Sequence, residues 1–352
     1  MSIRPTVPEK SLTDLSRAAL RERVTALGLP RYRADQIFKW VFQKGIRDFD
    51  AMTDLPKALR QTLADDGWTI GRVTLERVAV SVDGTRKLVI RLQDGGAVES
   101  VLIPMGEGRF TQCLSSQLGC ALDCKFCFTG TLGLSRHLTA GEIVDQVLVA
   151  RGAVPEGAVV DHLVFMGMGE PLHNFDHVVA SLGPLTDPDG PGYSPRRITI
   201  STSGLVPQID ALGQVAPVNL AISLNATTDE VRERIMPINK RYPIAELIAA
   251  LRRYPLPPRR KLTVEYVLLG GVNDTDADAQ RLGDLLRGLS VRINLIPWNP
   301  FQGPGFARPA DDRVRAFHQH LDRRGYTVTV RGTKGIDIDA ACGQLGERPD
   351  AA

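Results

Sequence analysis

The order of apolar and polar residues divides the chain into a helical start, a β-rich stretch and a long alternation of strands and helices. Near the start, apolar side chains recur four positions apart, as at Ile37 and Val41. This spacing places them on one face of a helix. A second helix is predicted to begin at Thr53 as N-cap, with Leu59 facing inward.

The next stretch alternates apolar and polar residues in the manner of β-strands. The segments TLERVAVSV, TRKLVIRL and AVESVLI are separated by Asp83-Gly84 and Asp94-Gly95. Such dipeptides favour tight hairpin turns. The sequence therefore predicts an antiparallel β-meander over residues 71–108.

From residue 109 onward, short β-rich segments alternate with helical patterns. The candidate strands are FTQCLSSQ, VVDHLVFMG, RRITISTS, VNLAISLN, KLTVEYVLL, VRINLIPW and YTVTVRG. The clearest helix begins with a capping box formed by Thr139 and Glu142. Repeated βα units predict an α/β protein with a parallel sheet. About six units indicate a partial (βα)6 barrel with its chemistry in the loops that follow the strands.

These patterns predict a division of the 352 residues into four parts. Residues 1–70 form a helical accessory domain, and residues 71–108 form the meander that links it to the barrel. Residues 109–345 form the barrel, and residues 346–352 form a disordered tail.

Composition and charge exclude some classes of protein. The chain is 43% apolar and 24% charged, with 43 basic and 40 acidic residues, so its charge alone indicates no polyanionic partner. No run of about 18 apolar residues is present, and the start lacks the apolar core of a signal peptide. We therefore expect a cytoplasmic protein without a membrane span, and a monomer by default.

The five cysteines point to metal or redox chemistry, since an odd count without an export signal argues against a disulfide framework. Cys120, Cys124 and Cys127 are spaced C-x3-C-x2-C in GCALDCKFC. Structural zinc requires four ligands, and no second pair of cysteines or suitably spaced histidines is present. The spacing favours an iron–sulfur cluster, in which three thiolates would leave one of four irons open.

This cysteine spacing resembles the radical S-adenosylmethionine (SAM) superfamily. Further motifs narrow the resemblance: CLSSQLGC at 113–120, GMGEP at 167–171, STSG at 201–204, SLNA at 223–226, PWNP at 297–300 and DAACGQL at 339–345. Together they resemble the RlmN/Cfr family of rRNA adenine methyltransferases, and most of all its RlmN branch, from about residue 10 to about residue 345.

The resemblance implies two cofactor sites. Cys120, Cys124 and Cys127 would bind one [4Fe–4S] cluster, with SAM at its fourth iron. The SAM site would be lined by Gly169, Glu170, Ser201, Ser223, Leu224, Asn225 and Asn299. Taken singly, serine and asparagine at strand ends are more often turn formers, so only the whole set indicates a cofactor site.

The resemblance also implies roles for three further residues. Cys342 would receive a methyl group from one SAM, and a 5′-deoxyadenosyl radical from a second SAM would remove a hydrogen from it. The resulting carbon radical would add to the adenine ring, Glu99 would accept a proton, and Cys113 would release the RNA by forming a transient disulfide with Cys342. On the residues alone, Cys342 is typical of an inert thiol, Cys113 of a core residue or fourth cluster ligand, and Glu99 of a surface residue.

The implied reaction is methylation of carbon 2 of a specific adenosine in 23S rRNA near the peptidyl transferase centre, and in tRNA beside the anticodon. A low-potential electron donor such as flavodoxin would be a partner. One alternative is a Cfr-type enzyme that methylates carbon 8 and confers antibiotic resistance. Another is a non-catalytic iron–sulfur protein that binds RNA or senses redox state.

Two segments combine basic and aromatic residues in a way that suits RNA. They are GLPRYRADQIFKWVFQKGIR at 28–47 and RRYPLPPRRK at 252–261. Each also fits a plain interpretation, an amphipathic helix pair and a solvated loop. The family resemblance favours RNA contact for the first segment.

Overall fold

The computed structural model of the protein describes residues 10–301, 303 and 305–347. Its α-helices are α1 Arg17–Ala26, α2 Tyr32–Phe38, α3 Lys57–Asp65, α4 Phe128–Thr131, α5 Ala140–Ala150, α6 Phe175–Thr186, α7 Val206–Val215, α8 Asp229–Ile235, α9 Ile244–Arg253, α10 Asp276–Leu285 and α11 Asp311–Arg323. Its strands are β1 Val73–Val80, β2 Arg86–Leu92, β3 Ala97–Pro104, β4 Arg109–Cys113, β5 Gln117–Gly119, β6 Leu134–His137, β7 Val159–Phe165, β8 Ile198–Thr202, β9 Asn219–Ser223, β10 Leu262–Leu268, β11 Val291–Pro297 and β12 Thr327–Val330.

Ten of these strands form one sheet in the order β1-β2-β3-β4-β7-β8-β9-β10-β11-β12. The first four pair antiparallel, and from β4 to β12 each neighbour is parallel. Each of the seven parallel strands overlaps one of the seven candidate strands, and the helices between them supply the crossovers. The predicted partial βα barrel with a preceding meander is therefore confirmed.

Each of the two hairpin turns of the meander contains a glycine with left-handed backbone. Gly84 and Gly95 each have φ of +84°, which favours glycine because it has no Cβ to clash. The register places Val89 opposite Glu99, so these two side chains lie on the same face of the sheet. This face matters for the site described below.

The start of α3 corrects one prediction. Pro56 is its N-cap, and the helix begins at Lys57 rather than after Thr53. Proline disfavours helical backbone in the residue before it, so Leu55 cannot continue a helix into Pro56. The capping box predicted for α5 is confirmed, because Thr139 accepts from the Glu142 N–H and Glu142 accepts from the Thr139 N–H.

The first barrel strand is shorter than predicted. FTQCLSSQ is not one strand, because β4 ends at Cys113 and the chain resumes in β5, which pairs antiparallel with β6 in a separate two-stranded sheet. The break lies at Ser115, where the Gln146 side chain accepts from the Ser115 N–H at 2.9 Å and donates to its carbonyl at 2.8 Å. A side chain thus replaces the neighbouring strand as hydrogen-bond partner.

The N-terminal helices pack on the same continuous apolar core as the barrel. Buried Asp145 of α5 fixes this contact, since it accepts from the Arg72 backbone N–H at 2.5 Å and from the Arg47 side chain at 3.3 Å. Burial raises the pKa of Asp145 to about 6. The boundaries of the domains remain a prediction. In the described part of the chain, no helix has the length and hydropathy to span a membrane.

Candidate active site

A cavity lies at the carboxyl end of the parallel strands, where the sequence places its unusual residues. It has an empty volume of about 1020 Å³ including its open mouth. Ten predicted site residues line it: Cys120, Cys124, Cys127, Gly169, Glu170, Ser201, Ser223, Asn225, Asn299 and Cys342. The fold therefore brings segments from the whole length of the barrel to one place.

The cysteine loop, residues 120–127, is held by contacts from two other elements. The Lys125 N–H donates to the carbonyl of Ile235 at 2.9 Å, and the Trp298 indole N–H donates to the carbonyl of Phe126 at 2.9 Å. Phe126 and Trp298 belong to a small apolar cluster beside the loop. These contacts fix the loop and keep water from one side of the cysteines.

The three thiols of the cysteine loop lie close enough for their charges to interact. Burial raises the pKa of Cys120 to about 12, and the nearby Cys127 acts in the same direction. Burial likewise raises the pKa values of Cys124 and Cys127. The thiols are therefore protonated at neutral pH, and a metal must displace those protons when it binds.

This arrangement fits a cluster better than a single ion. In the described part of the chain, no three side chains of His, Cys, Asp or Glu converge tightly enough to hold one metal ion. The cysteines of an iron–sulfur cubane bind different irons, so their sulfurs are more widely spaced than the ligands of one ion. Three half-buried thiols on one loop suit such a cluster.

Glu170 is built into the cavity wall by its neighbours. Its carboxylate accepts from the Ser203 N–H at 2.7 Å and the Leu172 N–H at 3.0 Å, and its own N–H donates to Gln117 at 2.8 Å. Burial raises the pKa of Glu170, and the Ser203 N–H opposes that shift. Gly169, with φ of +96°, could not carry a side chain, because a Cβ would lie 2.5 Å from Gln117.

The residues after β9 are partly structural. Asn225 has φ of +57°, and its side-chain oxygen accepts from the Val267 N–H at 2.8 Å. Leu224 does not line the cavity: its side chain is buried, and its N–H donates to the carbonyl of Glu265 at 3.0 Å. The contact of Leu224 with SAM therefore stays a prediction.

Buried Arg232 joins two of these strand ends, and the sequence did not single it out. Its guanidinium donates to the carbonyls of Leu224 at 3.0 Å and Ser203 at 2.6 Å. Burial lowers its pKa to about 10. Arg232 therefore holds the chain segments after β8 and β9 together beneath the cavity.

Cys342 reaches the cavity on a segment that we call the C-terminal strap, residues 335–347. The Asn299 side chain donates to the Cys342 carbonyl at 3.1 Å, and its oxygen accepts from Thr333 at 3.0 Å. The Phe128 N–H donates to the Gly343 carbonyl at 2.7 Å. Asn299, predicted to bind SAM, thus positions the strap as well as lining the cavity.

Cys113 is buried at the end of β4 and lies outside the cavity wall. Burial raises its pKa to about 12, the Arg331 charge opposes that shift, and the Cys342 charge adds to it. All five cysteines are free thiols, and the disulfide between Cys113 and Cys342 remains a prediction. The two thiols nevertheless lie close enough for their charges to interact.

Sequence reasoning missed Arg331 and Glu265, which share this region. Glu265 lines the cavity from β10 and accepts from Asn294 at 2.8 Å, and burial raises its pKa. The Arg331 side chain makes a long contact with the Met166 sulfur at 3.9 Å. Glu265 could have been found, since KLTVEYVLL places one carboxylate in an otherwise apolar strand.

Glu99 is buried with 4% exposure, which overturns the surface position expected from strand alternation. Its carboxylate lies 3.1 Å from Lys87 Nζ and accepts from the Gly346 N–H at 2.8 Å. The strap covers this face of the meander and so buries it. Gly346 and Glu347 form hydrogen bonds, so the predicted disordered tail does not begin at residue 346. Residues 348–352 lie outside the described part.

The basic and aromatic side chains of the first RNA segment are largely used within the fold. Arg47 donates to the carbonyl of Val73 at 2.8 Å, and the Trp40 indole donates to Asp54 at 2.5 Å. Tyr32 is 53% exposed, whereas Arg33 donates to the Gln36 side chain at 2.8 Å and to the Asp54 carbonyl at 3.2 Å. Tyr32 and the exposed Arg31 are therefore the part of this segment best placed to meet RNA.

The second RNA segment lies far from the cavity mouth. Residues 252–261 connect the end of α9 to the start of β10, at the amino end of the parallel strands. Arg253 pairs with Asp210 at 2.6 Å, and Arg260 bonds the carbonyl of Pro217. This placement favours the plain interpretation, a solvated loop.

Comparisons with known proteins agree with this geometry. A model of the radical SAM superfamily matches residues 114–282, and a model of the ribosomal RNA large subunit methyltransferase N-terminal domain matches residues 10–67. A "Dual-specificity RNA methyltransferase RlmN" of Geobacter sulfurreducens is 52% identical over 340 residues, which cover 97% of this chain and 93% of that protein. The Geotalea uraniireducens protein of the same name is 51% identical, covering 95% of each chain.

A solved structure resembles the whole chain. The crystal structure of a radical SAM methyltransferase from Sphaerobacter thermophilus superposes with a TM-score of 0.91 at 48% identity. The match covers 96% of this chain and 99% of that one. The arrangement of meander, barrel and strap is therefore not peculiar to this sequence.

Proposed function

Because the chain belongs to the RlmN family of radical SAM RNA methyltransferases, we propose that it methylates carbon 2 of a specific adenosine in 23S rRNA and in tRNA. The relatives named above are called dual-specificity RNA methyltransferases, which supports two classes of RNA substrate. The rRNA site would lie near the peptidyl transferase centre and the tRNA site beside the anticodon.

One observation carries this proposal: Cys342 lines the same cavity as Cys120, Cys124 and Cys127. A thiol brought there from the end of the chain is not needed for a three-cysteine cluster. Its place suits a methyl carrier that meets both the methyl donor and the RNA base. A covalent RNA–enzyme intermediate and two SAM per turnover follow from that role.

The residues of the cavity would hold the cofactors as follows. The three thiols of the cysteine loop would bind one [4Fe–4S] cluster, and Glu170, Ser201, Ser223, Asn225 and Asn299 would line the SAM site. Bound together, the cluster and SAM supply hydrogen-atom abstraction from a methyl group, which ordinary side chains cannot perform. A low-potential electron donor of the flavodoxin kind would be required, and we expect a monomer.

The chain's own residues would carry the methyl group through the reaction. Asn299 holds the carbonyl of Cys342 and so orients the carrier. Glu99 would accept the proton released from the ring carbon. Cys113 would attack the carrier sulfur as a thiolate and free the RNA, and the Arg331 charge favours that thiolate.

The N-terminal unit would bring the RNA to the cavity. The matched N-terminal domain model and the exposed Arg31 and Tyr32 support RNA contact in this part of the chain. A target base has to leave its stack to reach Cys342, and aromatic and basic side chains stabilise such extruded bases.

The proposal is tested by identifying the methylated atom. The purified protein, reconstituted anaerobically, is incubated with SAM, a reductant and either a 23S rRNA fragment or tRNA, and the digested nucleosides are weighed against 2-methyl- and 8-methyladenosine standards. We expect 2-methyladenosine from both RNAs. A product methylated at carbon 8 would favour the Cfr-type alternative. Neither product, together with no 5′-deoxyadenosine, would favour a non-catalytic protein.

A further inference from the structure

Two neighbouring strands of the meander place a buried ion pair against the C-terminal strap. Lys87 Nζ on β2 lies 3.1 Å from Glu99 Oε1 on β3. Lys87 is 8% exposed and Glu99 is 4% exposed. Val89 is opposite Glu99 in the register. Lys87 is two residues before Val89 on β2, so its side chain lies on the same face of the sheet as Glu99.

Both members of the pair also touch the strap. The Gly346 N–H donates to Glu99 Oε2 at 2.8 Å, and Lys87 Nζ lies 3.5 Å from the carbonyl of Asp339. These two strap residues flank Cys342 on either side. Each oxygen of the Glu99 carboxylate therefore has a partner, one from the meander and one from the strap.

A buried ion pair is weak evidence for a role in stability. Replacing a buried ion pair with apolar side chains of similar size is often neutral or stabilising, whereas removing one partner leaves the other uncompensated. The faces of β2 and β3 are otherwise rich in buried apolar residues. A lysine and a glutamate at this point therefore call for a reason other than packing.

We propose that Lys87 is a positioning residue for the proton-transfer step, and that Gly346 occupies the second oxygen of Glu99 until the strap moves. The inference rests on the proposed function. Lys87 holds Glu99 Oε1, so the carboxylate keeps its direction when the strap releases Oε2. The oxygen that accepts the proton then becomes available only after Cys342 has changed position with its substrate.

The chemistry assigned to the pair balances as follows. In the adduct, a methylene group joins the Cys342 sulfur to the ring carbon, and the unpaired electron would have been taken by a one-electron oxidant, a role that an iron–sulfur cluster held by the cysteine loop would supply. Glu99 takes the hydrogen of that carbon as a proton, and the C–H electron pair stays in the ring. The Cys113 thiolate then forms an S–S bond with Cys342. The S–CH2 pair stays with carbon, which takes up a proton to become methyl.

The test compares Lys87→Met and Lys87→Arg with Arg86→Met as matched control. Arg86 is the adjacent residue on β2, and its side chain donates to the carbonyl of Ala153 at 3.1 Å, away from Glu99. Three quantities are measured in each full-length protein: methyl on Cys342 by peptide mass, RNA–protein adduct on a denaturing gel, and methyladenosine formed.

We expect Lys87→Met to retain methyl-Cys342, to accumulate adduct and to form methyladenosine at least tenfold more slowly. Lys87→Arg should restore most of the turnover, because it keeps the charge, and Arg86→Met should match the wild type. In cluster-free protein, amide exchange at Gly346 should be faster in Lys87→Met, since the carboxylate that accepts its hydrogen bond loses its anchor.

Two results would overturn the inference. Lys87→Met turning over like the wild type would show that Glu99 needs no positioning. Equal loss of methyl-Cys342, adduct and product, without rescue by Lys87→Arg, would show a structural role only. If the wild-type protein forms no methyladenosine, the proposed function itself fails, and the inference falls with it, so the wild-type arm separates the two failures.

Discussion

The cysteine loop and the C-terminal strap bring thiols to one cavity by different means. The loop places three cysteines within eight residues, and its own main-chain groups are bonded on both sides, by the Ile235 carbonyl and by the Trp298 indole. The strap carries one cysteine and is held largely by side chains, including Asn299 and Glu99. Thiols that bind a cluster need fixed positions, whereas a carrier has to move between donor and acceptor.

The strap is also bonded to the residues that directly follow the loop. The Phe128 N–H donates to the Gly343 carbonyl, and the Thr129 hydroxyl donates to the Leu345 carbonyl at 2.6 Å. The short helix α4 that follows the loop therefore supports the strap from below. We therefore expect the position of Cys342 on the strap to depend on an ordered cysteine loop. The following predictions test this dependence.

The largest effect is expected from Cys124→Ala. Without its second thiolate the cluster does not assemble, and both methyl transfer to Cys342 and product formation should fall by more than about 10³-fold. The C-terminal tryptic peptide that begins at Gly335 is weighed after purification from cells. A methyl group still present on Cys342 in this variant would show that methylation of the strap does not depend on the cysteine loop, and it would contradict the carrier mechanism.

Cys113→Ala should stop a later step. Cys342 should still carry its methyl group, but the RNA should remain bound to the protein, with turnover lower by about 10²-fold or more, because no thiol releases it. The adduct is detected on a denaturing gel. Cys342→Ala is the control and should form no adduct; an adduct in that control would place the covalent link elsewhere.

Asn299→Ala should loosen the strap without removing a thiol. Loss of its hydrogen bond to the Cys342 carbonyl should destabilise the oriented position of Cys342 by about 1–3 kcal/mol. Turnover should then fall by about tenfold to a hundredfold. We expect SAM cleavage to continue with less methyladenosine per 5′-deoxyadenosine formed. Thr333→Val, which removes a donor to Asn299 but leaves Asn299 in place, should have a smaller effect. Equal loss of both activities would point to SAM binding alone.

The rate at which Cys113 is alkylated should rise continuously from pH 7 to pH 10. Its pKa of about 12 means that the ionised fraction rises about tenfold per pH unit from pH 7 to 10. Alkylation of Cys113 in cluster-free protein, followed by peptide mass, should show no plateau below pH 10. Arg331→Met should slow it severalfold, because the Arg331 charge lowers this pKa. A plateau near pH 8 would contradict the burial of the thiol.

The smallest effect is expected at the amino end of the barrel. Arg259→Ala and Arg260→Ala should change RNA affinity by less than about twofold, since a surface arginine far from the mouth contributes little. Tyr32→Ala with Arg31→Ala should weaken binding more, since both side chains are exposed. Affinity is measured at two salt concentrations. A strong loss for the first pair would show that RNA wraps around the barrel to reach its other end.

Several features could be predicted from local patterns. The turns at Asp83-Gly84 and the capping box of α5 depend on neighbouring residues, so they are visible in the sequence. The first barrel strand was predicted too long, because the side chain of Gln146 interrupts it from thirty-one residues away. The start of α3 could have been predicted better from Pro56 alone.

The sequence by itself determined the positions of the cysteine loop and of the motifs at the strand ends, since spacing and strand order bring them to one edge of the sheet. The burial of Glu99, its pairing with Lys87 and the setting of Cys342 depend on tertiary contacts. The burial of Glu99 arises where the strap crosses the meander, between residues about 250 positions apart, as in the bond from Gly346 to Glu99. Lys87 reaches Glu99 from the neighbouring strand, and Asn299 holds Cys342 from the loop after β11. A local pattern does not show which distant segment will pack on a given face of a strand. That packing determines whether a carboxylate such as Glu99 is exposed to solvent or buried beside its hydrogen-bond partners.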